Sequence, residues 1–493
     1  MGSHIPSIEQ EAPEKQPRQT MPVNFFGPSV YSKFYKAFIC VVVLASPMLA
    51  SAQQSSINPT SCVTGFNNAT DYFPVKVQAD DATLFKIEYH NSYKLLTSID
   101  PYGMANETYA LYQCGTTPPT GLTNGTKLVQ VPVSRVGVLD VSVIPYLEML
   151  GVANTITAVG DDIFVSSPCF QKQVAGGSIV SLSSTNATLA DQQLSGVDIE
   201  LGAYAADPSN NKSIAVYASQ DPGTLNRAEW LEFFAAFFNK EQAANTLTGQ
   251  INDNYNRLKQ AASGYNPKPV VAWANYQAPS QYNNNTASWG VSNATYKVEL
   301  TKDAGGTALG FGSYSNVTAF QQAISNADVV IDETYYATSL SDVLTNYNIS
   351  SADQSKYKFL ANKALYREDG ISTSAGGQDW LESAISMADS VLEDVINAIN
   401  PAAPTANFTR HWLRNVAANE TIRYSSADNC TANENDARAD SASNFTSTTT
   451  FAQPTYGSSA PSSTTASGAA ASLTLAFSTI MATAVASIFA LML

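Results

Sequence analysis

The chain has 493 residues, 14% of them charged, with 26 Lys+Arg against 41 Asp+Glu and a formal charge of -15. That length suits two or three folded units of about 150 residues, and a 44% hydrophobic content rules out wholesale disorder. The acidic balance excludes nucleic acid and anionic headgroups as main partners, since both need a basic footprint, and three histidines (His4, His90, His411) are too few for a histidine-built metal site.

Lys33 and Lys36 precede an apolar run from Ala37 to Leu49, followed by Ala50-Ser51-Ala52. A basic flank, an apolar core and a small-x-small site predict a secretory signal over residues 1–52, cut before Gln53. Met21 is an alternative start, and an uncleaved signal anchor is the alternative reading. Cys40 lies in this segment, leaving Cys62, Cys114, Cys169 and Cys430. An even number in an oxidising compartment predicts two disulfides, which four cysteines can pair in three ways. The expected pairs are Cys114–Cys169 and Cys62–Cys430, with free buried thiols as the alternative. Asn-x-Ser/Thr sequons at Asn68, Asn106, Asn124, Asn186, Asn211, Asn284, Asn293, Asn316, Asn348, Asn407, Asn419, Asn429 and Asn444 predict a glycosylated surface.

Residues 60–222 read as a first α/β lobe. Leu128–Val133 and Val136–Leu139 are strand-like, Ser142 can cap a helix through Ile144–Met149, and Ile156–Gly160 is the next strand, which makes a βα unit of a parallel sheet. Val197–Leu201 and Ser213–Tyr217 continue it. Residues 223–262 read as a linking helix. Asn226 and Glu229 have capping-box spacing, and apolar residues recur at helical spacing from Trp230 through Phe233, Phe237, Leu247 and Ile251 to Leu258. About 36 residues at 1.5 Å each give a rod of about 54 Å, long enough to span two lobes.

Residues 263–435 repeat the α/β grammar, with strands at Val270–Ala274 and Ala327–Asp332 and a helix from Ile385 to Ile399 that Pro401 stops. From 436 to 472 the composition turns to Ser, Thr, Ala and Pro, predicting an extended stalk. Residues 473–493 are apolar or small without charge, and the triplet Ser458-Ser459-Ala460 precedes a small-residue spacer. This order predicts a GPI signal with attachment at Ser458; a retained transmembrane helix is the alternative.

Several stretches, in order, resemble class III periplasmic-type solute-binding proteins, the cobalamin, siderophore and haem receptors of bacterial import. They are Phe85–His90, Val131–Val136, Pro145–Gly151, Arg227–Leu231 with Phe238–Glu241, Asp303–Gly306 and Trp380–Ser383. The resemblance covers about residues 70–400. It implies two rigid lobes with mainly parallel sheets, joined by one long spine helix and gripping ligand between them. Independently, open parallel sheets bind ligands beyond their strand carboxyl ends. That rule nominates Ser142, Asp161, Phe164 and Tyr204 in the first lobe, and Tyr276, Trp289, Tyr335, Tyr336 and the approach to Trp380 in the second. Trp289 and Tyr335 are the expected stacking residues, Ser142 and Asp161 the polar contacts.

Aromatic residues concentrate in these loops, whereas Lys and Arg are scarce. An anionic siderophore or haem would call for cationic partners; cobalamin, neutral and amide-fringed with its metal already chelated, ranks first, and a ferric hydroxamate siderophore second. Fe³⁺ ligation by the Tyr335-Tyr336 phenolates and packing of the aromatics in lobe cores stay open. The chain offers no G-x-S-x-G, P-loop, CxxC or HExxH pattern, so no enzyme, cofactor or protein-bound metal is expected. The reading is a cell-surface or endosomal receptor, membrane-attached through its tail, handing ligand to an unidentified uptake partner. A cell-wall adhesin is the alternative from another class.

Overall fold

Short β-branched runs bounded by turns become the strands of a five-stranded, all-parallel sheet in the computed structural model. It describes residues 56–203, 207–405, 408–430 and 449–455. The sheet runs in the order Val180–Ser181, Ile156–Val159, Val136–Val138, Ile199–Ala203, Ser213–Val216. A four-stranded sheet stands beside it: Phe85–Tyr89, Tyr93–Ser98 and Glu107–Gln113 form an antiparallel meander absent from the sequence reading, and Lys127–Val131, expected as Leu128–Val133 in the parallel sheet, pairs with the third strand here instead. One hydrophobic core joins the two sheets and takes in every apolar residue of helix Trp230–Phe238.

The second lobe is built on a mixed sheet ordered Gly312–Tyr314, Ser288–Val291, Val270–Gln277, Val329–Asp332, Leu365–Arg367, Arg414–Asn415. Its three central strands are parallel, and antiparallel strands close the edges. Side chains alternate across it as a strand requires: Val271, Trp273, Val329 and Ile331 enter the core shared with the long helix, while Ala272, Ala274 and Val330 enter a separate core on the outer face. The architecture is therefore α/β with mainly parallel strands.

The linking helix is not one rod. It is divided into Thr224–Ala228, Trp230–Phe238 and Glu241–Ala262. Gly223 rather than Asn226 is the cap of the first piece; the Asn226 amide donates to Asp81 O (2.6 Å), and the Glu229 carboxylate accepts from the amides of Asp80, Asp81 and Ala82. The main break is Asn239, in the left-handed region at φ 55, which asparagine tolerates at helix ends. A fully buried network fixes it: Lys94 Nζ donates to Ala236 O (2.6 Å), Asn239 Oδ1 (2.8 Å) and Glu241 Oε1 (2.6 Å), and Asn239 Nδ2 donates to Pro59 O and Gln113 Oε1. The remaining 22-residue helix, about 33 Å long, still links the lobes. Its Ala244 lies in the first core, and Ile251, Tyr255, Leu258 and Ala262 lie in the second, a 3,4-type spacing that keeps one stripe inward.

The disulfides are Cys62–Cys114 and Cys169–Cys430, not the expected pairs. Cys62 sits where the amino-terminal segment runs beside the end of strand Glu107–Gln113, with Val63 N donating to Cys114 O (2.9 Å). Cys169, on helix Pro168–Ala175 of the first lobe, meets the turn Ala427–Asn429 at the end of the second. Part of the expected stalk also departs from prediction. Phe451 N donates to Ala261 O (2.8 Å), Asn400 Nδ2 to Ala452 O, and Asn266 N to Gln453 Oε1, so residues 449–455 lie docked on the second lobe. The signal segment, Ser458 and the 473–493 tail lie outside the described residues, among which no helix is long and apolar enough to cross a membrane.

Candidate functional site

Parallel strands deliver their following loops to one edge of a sheet, and here two such edges meet. The loop after Ile156–Val159 carries Asp161, with φ 47, then the turn Asp162–Phe164. Thr373 Oγ1 donates to Ile163 O (3.0 Å). A Cβ at Gly377 would lie 2.3 Å from Phe164 O, so a glycine is required for these backbones to touch. On the other side of the same 373–377 loop, the Tyr335 hydroxyl donates to Gly376 O (3.3 Å), and Tyr335 and Tyr336 pack edge to face at 5.0 Å. The structure thus gathers Asp161, Phe164, Tyr335 and Tyr336, from both lobes, around one small-residue loop. Two apolar side chains there face solvent: Ile163 is 58% exposed and Tyr336 77%.

The other nominated residues lie elsewhere. Tyr276 follows Ala272 and Ala274 onto the outer face of its sheet, and antiparallel pairing sets Trp289 beside it (ring centroids 5.5 Å). Trp289 Nε1 donates to Asn346 O (2.8 Å) on helix Leu340–Asn346, so this indole braces the outer core rather than the rim. Ser142 is buried in a turn capped by Asp140, against the helix Asp379–Glu382. Trp380 is buried against Trp273 at 5.8 Å. Tyr204 lies outside the described residues. The sequon asparagines other than Asn407 and Asn444, which lie outside them too, are exposed.

A clasp missed in the sequence joins the lobes next to this rim. The Ser166 amide and hydroxyl both donate to Glu382 Oε2 (2.6 Å from the hydroxyl), and the hydroxyl also contacts Asp379 Oδ1. His411 Nε2 lies 3.0 Å from Asp379 Oδ2, and Gln171 Nε2 donates to Ser425 Oγ. The only sequence signal was Ser-Ser-Pro before an apolar helix, an N-terminus pattern.

Nor are cations absent from the second rim. Arg367 donates to Asp332, Asp369 Oδ2 (2.9 Å) and Thr334 O (2.8 Å); Arg414 donates to both oxygens of Asp369 (2.8 Å each) and to Thr338 O. Burial pushes the Asp332 carboxyl upward while Arg367 and the hydroxyls of Tyr347 and Thr334 oppose it. Both guanidinium groups are thus engaged by protein acceptors in buried positions. Among the described residues, no group of three or more His, Cys, Asp or Glu side chains could hold a metal ion.

No family model matches the chain. An uncharacterised lipoprotein of Methanocaldococcus jannaschii is 24% identical over 233 residues, 45% of this chain and 48% of that protein, so the chain spans about half the length of this curated relative. Solved structures that it is similar to include a possible iron-binding, periplasmic solute-binding protein of Staphylococcus epidermidis (TM-score 0.39, 16% identity, 54% of this chain and 99% of that one). Others are a periplasmic binding protein of Veillonella parvula (0.43, 13%, 64% and 95%) and a periplasmic haem-binding protein of Pseudomonas aeruginosa (0.39, 13%, 60% and 100%). The α/β assignment rests on the sheets themselves.

Proposed function

We propose that this chain is an exported receptor that holds a bulky, nearly neutral metal chelate at the junction of its lobes, with cobalamin the ligand put forward first. One observation carries the reading: the Ile163 and Phe164 backbone of the first lobe and the Tyr335 hydroxyl of the second meet at the 373–377 loop, and the neighbouring Ile163 and Tyr336 side chains are exposed. An exposed aromatic on a built polar scaffold is a common anchor for ligand burial. The sequence also resembles the algal cobalamin acquisition protein, which agrees with that choice.

Haem propionates or an anionic siderophore would draw on free guanidinium groups, and Arg367 and Arg414 are already engaged. Fe³⁺ ligation by Tyr335 is disfavoured because burial raises its phenol above the usual range. A ferric hydroxamate, neutral as a complex, is the second reading. Glycosylation, attachment through the tail and transfer to an uptake partner belong to the same proposal. Calorimetry on residues 53–455, which retain the docked 449–455 segment, tests it against cyanocobalamin, ferrichrome and haemin. Saturable binding of cyanocobalamin at micromolar concentration or below is expected; heat from none of the three would leave an adhesin as the better account.

A further inference from the structure

Two carboxylates at the carboxyl ends of the central second-lobe strands are only partly satisfied. Asp332 and Arg367 are paired in register on neighbouring parallel strands, so the next residues, Glu333 and Glu368, follow Ile331 and Tyr366 toward the face that bears Trp273. The Lys297 ammonium pairs with Glu333 Oε1 and stands 5.5 Å from the Trp273 ring and 5.3 Å from that of Tyr296. Glu333 Oε2 and Glu368 Oε1 are both buried without a hydrogen-bond partner, and Glu368 is 6% exposed.

The same patch reaches the first lobe. The Arg227 guanidinium covers the Tyr296 ring at 3.7 Å and donates to Ser219 O (2.7 Å), and the Arg227 carbonyl accepts from the Tyr146 hydroxyl (2.7 Å). Hence Glu333, through Lys297 and Tyr296, connects to the Arg227 segment at which the lobes join, and both unpaired oxygens lie buried at the strand carboxyl ends.

We propose that Glu368, with Glu333 and Lys297, forms a polar seat that accepts hydrogen bonds from amide, hydroxyl or ammonium groups of the captured ligand and turns carboxylates away. This rests on the receptor reading above and specifies its ligand chemistry. When ionised, above about pH 7, the Glu368 carboxylate is an acceptor without a donor, and the one ammonium here is already shared with Glu333, so its unused hydrogen-bonding capacity is for donors. A ligand carboxylate would add an acceptor where acceptors are in excess. Burial raises the Glu368 carboxyl to about 7 despite Lys297 and Arg367, with Asp332 and Asp369 pushing the same way as burial. Those four groups and Glu333 are the charges around it. Binding of a donor-rich ligand therefore weakens as pH falls below about 7 and Glu368 loses its charge.

The test titrates the purified full-length chain, as wild type and as E368Q, with cyanocobalamin, ferrichrome and haemin. A second arm, independent of any substitution, compares cyanocobalamin with its separated monocarboxylic acids on the wild type, each carrying one carboxylate in place of a carboxamide. A tenfold or larger loss in E368Q with an unchanged circular dichroism spectrum, or a tenfold loss for at least one monoacid on the wild type, is the expected result. E368Q and every monoacid binding within twofold of the reference would overturn the seat while leaving the receptor reading intact. Preferred binding of haemin would overturn it also, and binding of none of the three probes would remove the receptor reading and the seat together.

Discussion

Removing the Cys169–Cys430 disulfide tests how the lobes are held. The bond closes a loop of 261 residues, outside the 52-residue loop of Cys62–Cys114, so the two constraints are separable. Chain entropy assigns the longer loop about 5.6 kcal/mol at 25 °C and the shorter about 4.1 kcal/mol; losses from native disulfides run about 2–5 kcal/mol. Cys169→Ser with Cys430→Ser should thus cost about 3–5 kcal/mol. Because the bond ties the first-lobe helix Pro168–Ala175 to the end of the second lobe, the variant leaves the rim to non-covalent contacts such as the Ser166, Thr373 and Gln171 hydrogen bonds. Guanidinium unfolding followed by tryptophan fluorescence gives the stability, and stopped-flow displacement of cyanocobalamin gives the dissociation rate. A faster dissociation with a lower midpoint is expected. A stability change under about 1 kcal/mol with unaltered dissociation would refute the view that this bond restrains the lobes.

Tyr336→Ala should weaken ligand binding by about 1–3 kcal/mol, the scale of a lost aromatic anchor, while Trp289→Ala should lower the unfolding midpoint and leave the dissociation constant within twofold; calorimetry and thermal unfolding of both variants decide. Lys94→Ala leaves Glu241 buried without its counter-ion and should cost about 3–5 kcal/mol, whereas Lys94→Met with Glu241→Leu should cost clearly less than the sum of the single changes in denaturant unfolding. Glu232 has a carboxyl raised to about 8 by burial and by Glu229 and Asp80. The folded state therefore holds a proton that the unfolded chain releases from about pH 4.5 upward, so stability falls between about pH 4.5 and 8, by on the order of 2–4 kcal/mol. Glu232→Gln should flatten that slope in urea unfolding measured across the range, and an unchanged slope would show that another group is responsible.

Much of the second lobe and the parallel sheet of the first was legible because buried parallel strands read as unbroken apolar runs: Val329–Asp332 and Ile156–Val159 carry their assignment on their face. The antiparallel meander was not legible, since Tyr93–Ser98 mixes apolar residues with Lys94, and no local pattern announces that a lysine will be wholly buried. Asn239 has the same character. Its helical neighbours on both sides continue the apolar period, and the break comes from a side chain that answers Lys94, distant by 145 residues. For the site, strand ends pointed to Asp161, Phe164 and Tyr335, which the structure places around the 373–377 loop because loop position follows from topology. Trp289 was misplaced because alternation says which residues share a face, not which face turns outward. The Thr373–Gly377 loop carried no chemical signal at all, its function being to be small.

The docked 449–455 segment marks one end of the second-lobe sheet. It binds at Ala261 and Asn266, just before strand Val270–Gln277 begins, whereas Tyr335, Glu333 and Glu368 follow strands that end at the opposite edge of the same sheet. The 449–455 segment thus lies at the amino ends of the strands, and the rim lies at their carboxyl ends. A chain cut before Thr449 loses the contacts with Asn400 and Asn266, and its thermal unfolding midpoint should fall below that of a chain ending at residue 455.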